Sequence, residues 1–168
     1  MDALCGLPIY LLDAYGEVAV SRLREEIAYA VRRHGVVLAI VDHLHFALGV
    51  RKAGEDERLL IDAAAQAIQS TALELGIHIV VVMHPAKIRA GEDGRARQPE
   101  IGDLKGSSGP AQFADNVMRI SRDQSAAKAV LTLLKVRSEL GHPGHVAFAF
   151  DPESLRFTDV FAHAEGDA

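Results

Sequence analysis

Short apolar runs and amphipathic stretches alternate along the first half of this chain. Val36–Val41 is a run of six aliphatic residues, and Ile77–Met83 is a second apolar run. Runs this short and this rich in β-branched residues are typical of strands that are buried on both faces of a sheet. Between them, Glu55–Leu75 has apolar residues at helical spacing, acidic residues in its first turn and Gly76 at its end. This order predicts two parallel strands joined by a crossover helix.

Further elements are predicted on both sides of this unit. Pro8–Asp13 predicts a first strand, and Val18–Arg33 predicts an amphipathic helix that stops at Gly35. Asn116–Ile120 and Lys128–Val136 predict a third and a fourth buried strand, with a short helical piece at Ala111–Ala114 before them. His145–Phe150 and Leu155–Thr158 predict a closing hairpin. The core stripe expected on the long helix is Leu59, Leu60, Ala63, Ala64, Ala67, Ile68, Thr71 and Leu75.

One domain is expected, because the 168 residues suffice for a single core and no repeat interrupts them. Its core would span residues 8–160, with a Gly-rich mobile loop over 86–110 and a frayed tail over 162–168. The net charge of −5 excludes a polybasic protein, so any nucleic-acid contact is expected to be local. The lone cysteine, the lack of a long apolar run and the lack of a signal peptide predict a cytoplasmic protein without a membrane span.

Polar residues follow both predicted parallel strands directly. Asp42 comes after the first strand and His84 after the second. Ligands collect at the carboxyl ends of parallel strands, so this edge of the sheet is the expected site. An Asp here is the pattern of a Walker B carboxylate, which holds Mg²⁺ on a nucleotide. The alternatives are a carboxylate that caps the turn and a histidine that only ends its strand.

Four motifs occur in order along the chain: VVLAIVDHLHFAL, IHIVVVMHPAKI, DLKGSSGPAQFADNV and LLKVRSELGHPGHVAFAFDPESLRFTD. Together they resemble the second half of the RecA-like motor domain of hexameric replicative DNA helicases, of the twinkle and phage primase-helicase type. The resemblance covers about Ile9 to Asp159. It implies an α/β fold with a mostly parallel sheet between helices, truncated at its N-terminal side, and a C-terminal β-hairpin. It also implies ATP hydrolysis coupled to movement along single-stranded DNA.

Position by position, the resemblance implies a role for a small set of side chains. Asp42 would hold the Mg²⁺ of bound ATP, His84 would sense the γ-phosphate, and Gln112 would link the nucleotide to a DNA-contacting loop. Lys135 and Arg137 would reach a neighbouring subunit's nucleotide, with Arg137 as an arginine finger. The loop residues that would follow single-stranded DNA are Lys105, Gly106, Ser107 and Ser108. From the residues alone, the loop could instead be merely solvated, and Arg137 could be an exposed edge-strand residue.

The chain departs from this family in its phosphate-binding part. It contains no G-x-x-x-x-G-K-[ST] motif, and no strand with a catalytic glutamate precedes the matched region. The cradle for the β- and γ-phosphates is therefore missing, and the chain alone is not expected to bind ATP tightly or hydrolyse it. In the family, the phosphate-loop strand lies between the strands that here end at His84 and Ile120. Either these two strands pair directly, or another chain fills the gap.

The predicted function is therefore that of a motor-domain portion of an ATP-dependent replicative DNA helicase. Its expected partners are single-stranded DNA and either further copies in a ring or a chain that supplies the missing strands. A non-catalytic RecA-like module that binds or regulates a complete partner is the alternative. A metal site at His43 and His45, or at His142 and His145, is disfavoured because neither pair has a further ligand at suitable spacing.

Overall fold

A computed structural model of the chain describes residues 7–13, 18–48, 55–85, 98–104, 109–123, 128–138 and 141–159. The chain divides into two compact units, of which the first comprises Met1–His84 and Lys105–Phe113 and the second Pro85–Leu104 and Ala114–Ala168. The described helices and strands are α1 (Val20–His34), β1 (Leu38–Val41), α2 (Glu57–Leu75), β2 (His78–Val81), α3 (Gly109–Phe113), β3 (Asn116–Asp123), β4 (Lys128–Val136), β5 (Gly144–Asp151) and β6 (Arg156–Asp159). Within the described residues, no helix has the length and apolarity that a membrane span requires.

The two long helices of the first unit confirm the predicted helices to within two residues at each end. Both end at a glycine in the left-handed conformation, Gly35 with φ of 67° and Gly76 with φ of 63°. A residue with a Cβ is strained at such a position, which is why the chain turns out of the helix there. At the start of α2, the Asp56 carboxylate accepts a hydrogen bond from the backbone N–H of Arg58. It thereby satisfies one of the N–H groups that have no partner within the helix.

The predicted strand–helix–strand unit is confirmed as a parallel pair. β1 and β2 run parallel, with Leu38 opposite His78 and Val41 opposite Val81. Only one face of the pair is covered, however. Along both strands exposed and half-buried residues alternate, and Ile40 on the outer face is 67% exposed. The expectation that these strands are buried on both faces is therefore wrong for the residues the structure describes.

The core of the first unit lies between α2 and the inner face of this strand pair. It contains Leu44, Ile61, Ala64 and Ile68, with Ile79 and Val81 packed against it. The buried side of α2 is Ile61, Ala64, Ile68 and Thr71, at the spacing of a helical stripe. The predicted stripe is thus wrong in part, because it omitted Ile61 and included Leu59, which is 68% exposed. The apolar residues of α2 surround more than half of the helix, and packing alone selects the side that is buried.

The second unit contains a four-stranded sheet of order β3-β4-β5-β6, and all of its pairings are antiparallel. The closing hairpin β5–β6 is confirmed, but the expected mostly parallel sheet is not found among the described strands. Only four residues separate Asp123 at the end of β3 from Lys128 at the start of β4. A parallel connection needs a crossover of about a dozen residues or more, so a link this short requires antiparallel neighbours. β3 is also not fully buried, since Ile120 is 72% exposed.

One further expectation is corrected near the start of the chain. Residues 8–13 form no strand and are exposed along their whole length. Within the predicted mobile loop, Ile101–Asp103 forms a 3₁₀ turn and Leu104 forms a β-bridge with Pro85. Residues 86–97 and 105–108 of that loop, and the tail 162–168, lie outside the described residues.

The turn of the β5–β6 hairpin contains a carboxylate whose charged form is stabilised by hydrogen bonds. The Asp151 carboxylate accepts hydrogen bonds from the Ser154 hydroxyl and, at 3.0 Å, from the Glu153 backbone N–H. These bonds favour the charged form and lower the pKa of Asp151 below its ordinary value of 3.8. A lowered folded-state pKa stabilises the fold above the ordinary value, and this contribution is lost as the pH falls through the folded-state pKa.

We therefore expect Asp151→Asn to flatten the loss of stability between about pH 5 and pH 2, as measured by urea unfolding across this range. The control is Glu25→Gln, which removes an exposed carboxylate from α1. Equal acid sensitivity in the parent chain and in Asp151→Asn would show that the turn contributes nothing.

Candidate functional site

Backbone hydrogen bonds connect the chain beyond the last paired residues of β1 and β2, at their carboxyl ends. The Val82 N–H donates to the Val41 carbonyl at 2.9 Å, and the Leu44 N–H donates to the Val82 carbonyl at 3.1 Å. Asp42 lies in the chain between Val41 and Leu44, which make these two hydrogen bonds, and its side chain is exposed. Because Leu44 is fully buried in the core, the backbone on the C-terminal side of Asp42 is anchored. The carboxylate therefore projects from a fixed backbone at the edge where the sequence predicted a site.

Histidine side chains gather at the same edge. The His43 ring lies 4.8 Å from the His84 ring and 5.6 Å from the His45 ring, measured between centroids. The structure thus brings the residue next to Asp42 into contact range of His84. Sequence reasoning considered His43 only as a metal ligand with His45 and missed its place beside His84. Its position immediately after Asp42 at a strand end was the signal that could have identified it.

The chemistry of this edge suits a nucleotide-bound cation better than a free one. Within the described residues, no group of three or more His, Cys, Asp or Glu side chains could hold a metal ion. Mg²⁺ on a nucleotide needs only one or two protein carboxylates, because phosphate oxygens and water supply its other ligands. A single exposed carboxylate at Asp42 fits that requirement.

Gln112 belongs to the first unit and lies on α3, with an exposed side chain. It lines a shallow groove at the start of α2, together with Asp56, Arg58, Leu59, Asp62, Gly109 and Phe113. The predicted DNA-contacting residues Lys105, Gly106, Ser107 and Ser108 lie outside the described residues. Gly109, the first residue of α3, is the next residue in the chain after them.

Lys135 and Arg137 lie at the end of β4 in the second unit, where both are bound to the segment before β3. Lys135 Nζ donates to the Ala114 carbonyl at 2.9 Å. The Arg137 N–H donates to the Asp115 carbonyl at 2.8 Å, and the Arg137 guanidinium forms a 2.7 Å ion pair with the Asp115 carboxylate. The side chains of Arg137 and Asp115 are 50% and 61% exposed, so solvent screens this ion pair and keeps it weak. Sequence reasoning missed Asp115, because nothing local in the sequence relates it to Arg137.

The predicted residues thus form two local groups. Asp42 and His84 lie at the edge of the parallel pair in the first unit, which also contains Gln112. Lys135 and Arg137 form the other group in the second unit, around Ala114 and Asp115.

Solved structures of similar fold define the class of this protein. A structure described as an ATPase domain matches with a TM-score of 0.75 at 21% identity, over 89% of this chain and 54% of that one. A DnaB-like replicative helicase, described with its interactions with primase, matches with a TM-score of 0.75 at 22% identity, over 89% of this chain and 36% of that one. The fold is therefore that of a RecA-like ATPase domain, as predicted.

The family follows from the sequence model of the DnaB-like helicase C-terminal domain, which matches residues 1–159. The chain belongs to this family, and the predicted resemblance is confirmed. A DNA helicase/primase of Enterobacteria phage T3 is 29% identical over 130 residues, which are 76% of this chain. The chain spans only 22% of the length of that phage relative and about half of the similar ATPase domain.

Proposed function

We propose that this chain provides the magnesium-holding, phosphate-sensing and DNA-contacting portion of a replicative helicase motor, which couples ATP hydrolysis to movement along single-stranded DNA. One observation carries this proposal. In a chain of the DnaB-like helicase family, β1 and β2 run parallel, and Asp42 and His84 follow their carboxyl ends at one edge of the pair. The His84 ring lies 4.8 Å from the ring of His43. This is the edge where a RecA-like ATPase of this class handles the γ-phosphate and its cation.

At this edge, Asp42 would hold the Mg²⁺ of ATP, which neutralises charge on the β- and γ-phosphates. His84 would respond to the presence of the γ-phosphate. The contact between His84 and His43 supports this role, because a ring packed against a neighbour is held in a defined orientation. Gln112 would connect the nucleotide to the DNA loop, and its exposed position on α3 leaves the side chain accessible.

Arg137 would act on the nucleotide of a neighbouring subunit, and Lys135 would assist it. A guanidinium supplied from another subunit stabilises the charge that develops on the transferring phosphoryl group. The ion pair with Asp115 supports an exchangeable role, because an exposed carboxylate holds the guanidinium only weakly until a phosphate replaces it. In the absence of a neighbouring subunit, Arg137 would then remain paired with Asp115.

The DNA contact is assigned to Lys105, Gly106, Ser107 and Ser108. Backbone amides with one basic side chain hold phosphates without reading sequence, which suits a protein that moves along a strand. Since the whole chain has a net charge of −5, a local contact of this kind must provide the attraction.

We expect Lys105→Ala to weaken binding of a fluorescent oligothymidine by roughly two- to fivefold, the effect of losing one exposed charged contact. The slope of log affinity against log salt should fall by about 0.7, the value for one phosphate contact on a single strand. Fluorescence anisotropy over a salt series measures both quantities. Lys128→Ala is the matched control, because Lys128 is an exposed lysine at the start of β4. An affinity that is independent of salt and unchanged in Lys105→Ala would refute the DNA-loop assignment.

An apolar outer face on β1 and β2 supports a second chain as a partner. On the paired strands Leu38, Ile40 and Val80 are 48%, 67% and 41% exposed. Exposed apolar side chains grouped on one face are typical of an interaction surface. Among the described strands, β2 pairs with β1 alone and β3 with β4 alone, so each leaves an edge that accepts another strand. Further copies of the chain, or a partner chain with the missing strands, would cover these surfaces.

The same observations favour a second candidate function. A non-catalytic RecA-like module, docked on a complete motor, would also need an apolar face and open strand edges. The two candidates differ in what Asp42 does, since only the motor requires its carboxylate.

A further inference from the structure

The one-turn helix α3 is too short to be stable without contacts to other parts of the first unit. It has five residues, and isolated helices shorter than about 12 residues are marginal in water. Yet Gly109, Pro110 and Ala111 are buried. Contacts with the rest of the first unit must therefore fix where α3 lies.

Two polar residues on one side of α2 contact the two ends of α3. Asp62 and Gln69 are seven residues apart, which is about two turns and roughly 10 Å along a helix. Gln69 Nε2 donates a 2.7 Å hydrogen bond to the Phe113 carbonyl, at the last residue of α3. A carbonyl at a helix end has no partner within the helix, so this bond satisfies a group that would otherwise be unpaired.

At the other end, Gly109 lies directly against the Asp62 carboxyl group. A Cβ added to Gly109 would lie 2.5 Å from Asp62 Cγ and would overlap one of its oxygens. A side chain at position 109 would therefore force the Asp62 carboxyl group to move away from α3. The close approach leaves α3 little freedom to shift toward α2.

We infer that Asp62 and Gln69 are positioning residues, which hold α3 at both ends and so set the place of Gln112 and of Gly109, the residue that follows Lys105–Ser108 in the chain. This inference rests on the proposed function, because it gives α3 a role only if those residues contact nucleotide and DNA. Neither Asp62 nor Gln69 touches the DNA. Their effect passes through α3, whose first residue follows the proposed DNA loop without a gap.

The test compares Gly109→Ala, Asp62→Ala and the double variant in the full chain. The added methyl group in Gly109→Ala displaces the Asp62 carboxylate from α3, so the contact at this end is lost, and we expect oligothymidine binding to weaken roughly five- to tenfold, a typical coupling between contacting residues. Asp62→Ala removes the same contact and should weaken binding by itself. In the double variant the methyl group no longer meets the carboxylate, so binding should be no weaker than in Asp62→Ala alone. Binding is measured at a temperature where circular dichroism shows every variant folded, because a merely structural role would change only the melting temperature.

The second end of α3 is tested with Gln69→Met, which removes the amide donor while keeping the length of the side chain. Gln66→Met is its matched control, since Gln66 is exposed on the same helix. Amide hydrogen exchange of residues 109–113 should accelerate in Gly109→Ala and Gln69→Met, and should remain at the parent rate in Gln66→Met. In the double variant it should match the rate in Asp62→Ala.

The outcomes separate this inference from the proposed function. If oligothymidine affinity depends on salt and falls in Lys105→Ala but is unchanged in Gly109→Ala, the inference is overturned and the proposed function is not. Asp62→Ala that binds like the parent chain, or a double variant in which the two single losses add, would also overturn the inference. If oligothymidine affinity is independent of salt and unchanged in Lys105→Ala, the DNA proposal is refuted. The rate of amide hydrogen exchange of residues 109–113 would then decide by itself whether Asp62 and Gln69 hold α3.

Discussion

ATP turnover by this 168-residue chain is expected to remain at background, with or without single-stranded DNA. The chain has no G-x-x-x-x-G-K-[ST] motif, so no ring of backbone amides and no lysine is available for the β- and γ-phosphates. Asp42 can hold a cation on a nucleotide that is already bound, but a single carboxylate does not bind the triphosphate itself. Addition of a polypeptide that carries a phosphate loop of this family should raise turnover above background.

Phosphate release with Mg²⁺ present measures this expectation, and Asp42→Asn is the control. If the parent chain alone turns over ATP and Asp42→Asn abolishes the activity, the chain contains a phosphate site of its own. Activity that Asp42→Asn leaves unchanged would come from a contaminant. Reconstituted turnover that survives Asp42→Asn would instead favour the non-catalytic module over the motor.

A large loss of stability is expected from Ile61→Ala. Ile61 has no exposed surface and packs in the core with Leu44, Ala64 and Ile68. Truncation of a fully buried isoleucine costs about 2–5 kcal/mol, because the transfer free energy of the lost atoms and a cavity term add. That is a large share of the roughly 5–15 kcal/mol that separates a typical domain from its unfolded state. The loss should also loosen the turn after Asp42, since Leu44 belongs to the same cluster.

Urea unfolding followed by circular dichroism measures this cost, and Leu59→Ala is the matched control on the same helix. Leu59 is 68% exposed, so its truncation should change stability by no more than about 0.5 kcal/mol. Equal costs at both positions would mean that the buried side of α2 has been assigned incorrectly.

Several parts of this protein depend only on residues close together in the sequence, and these were predicted correctly. α1 and α2 end where Gly35 and Gly76 permit the left-handed conformation. The β5–β6 hairpin forms where alternating apolar residues flank a short turn. The four motifs together also identified the family, since each combines a strand or loop with a polar residue at its end.

Other features are decided by contacts between distant residues, which local patterns do not encode. The sequence placed Asp42 and His84 at strand ends, and parallel pairing of β1 with β2 then brought His43 next to His84. The bond between Arg137 and Asp115 arises from the antiparallel pairing of β3 with β4.

What the sequence determined by itself is where α1 and α2 end, where the β5–β6 hairpin turns, and which polar residues follow the parallel strands, because capping, periodicity and backbone strain act within a few residues. Only the tertiary structure decided which side of α2 is buried, which face of β1 and β2 stays open, and that Asp62 lies against Gly109. Burial and close approach are properties of the packed chain, since they depend on which surfaces meet when it folds.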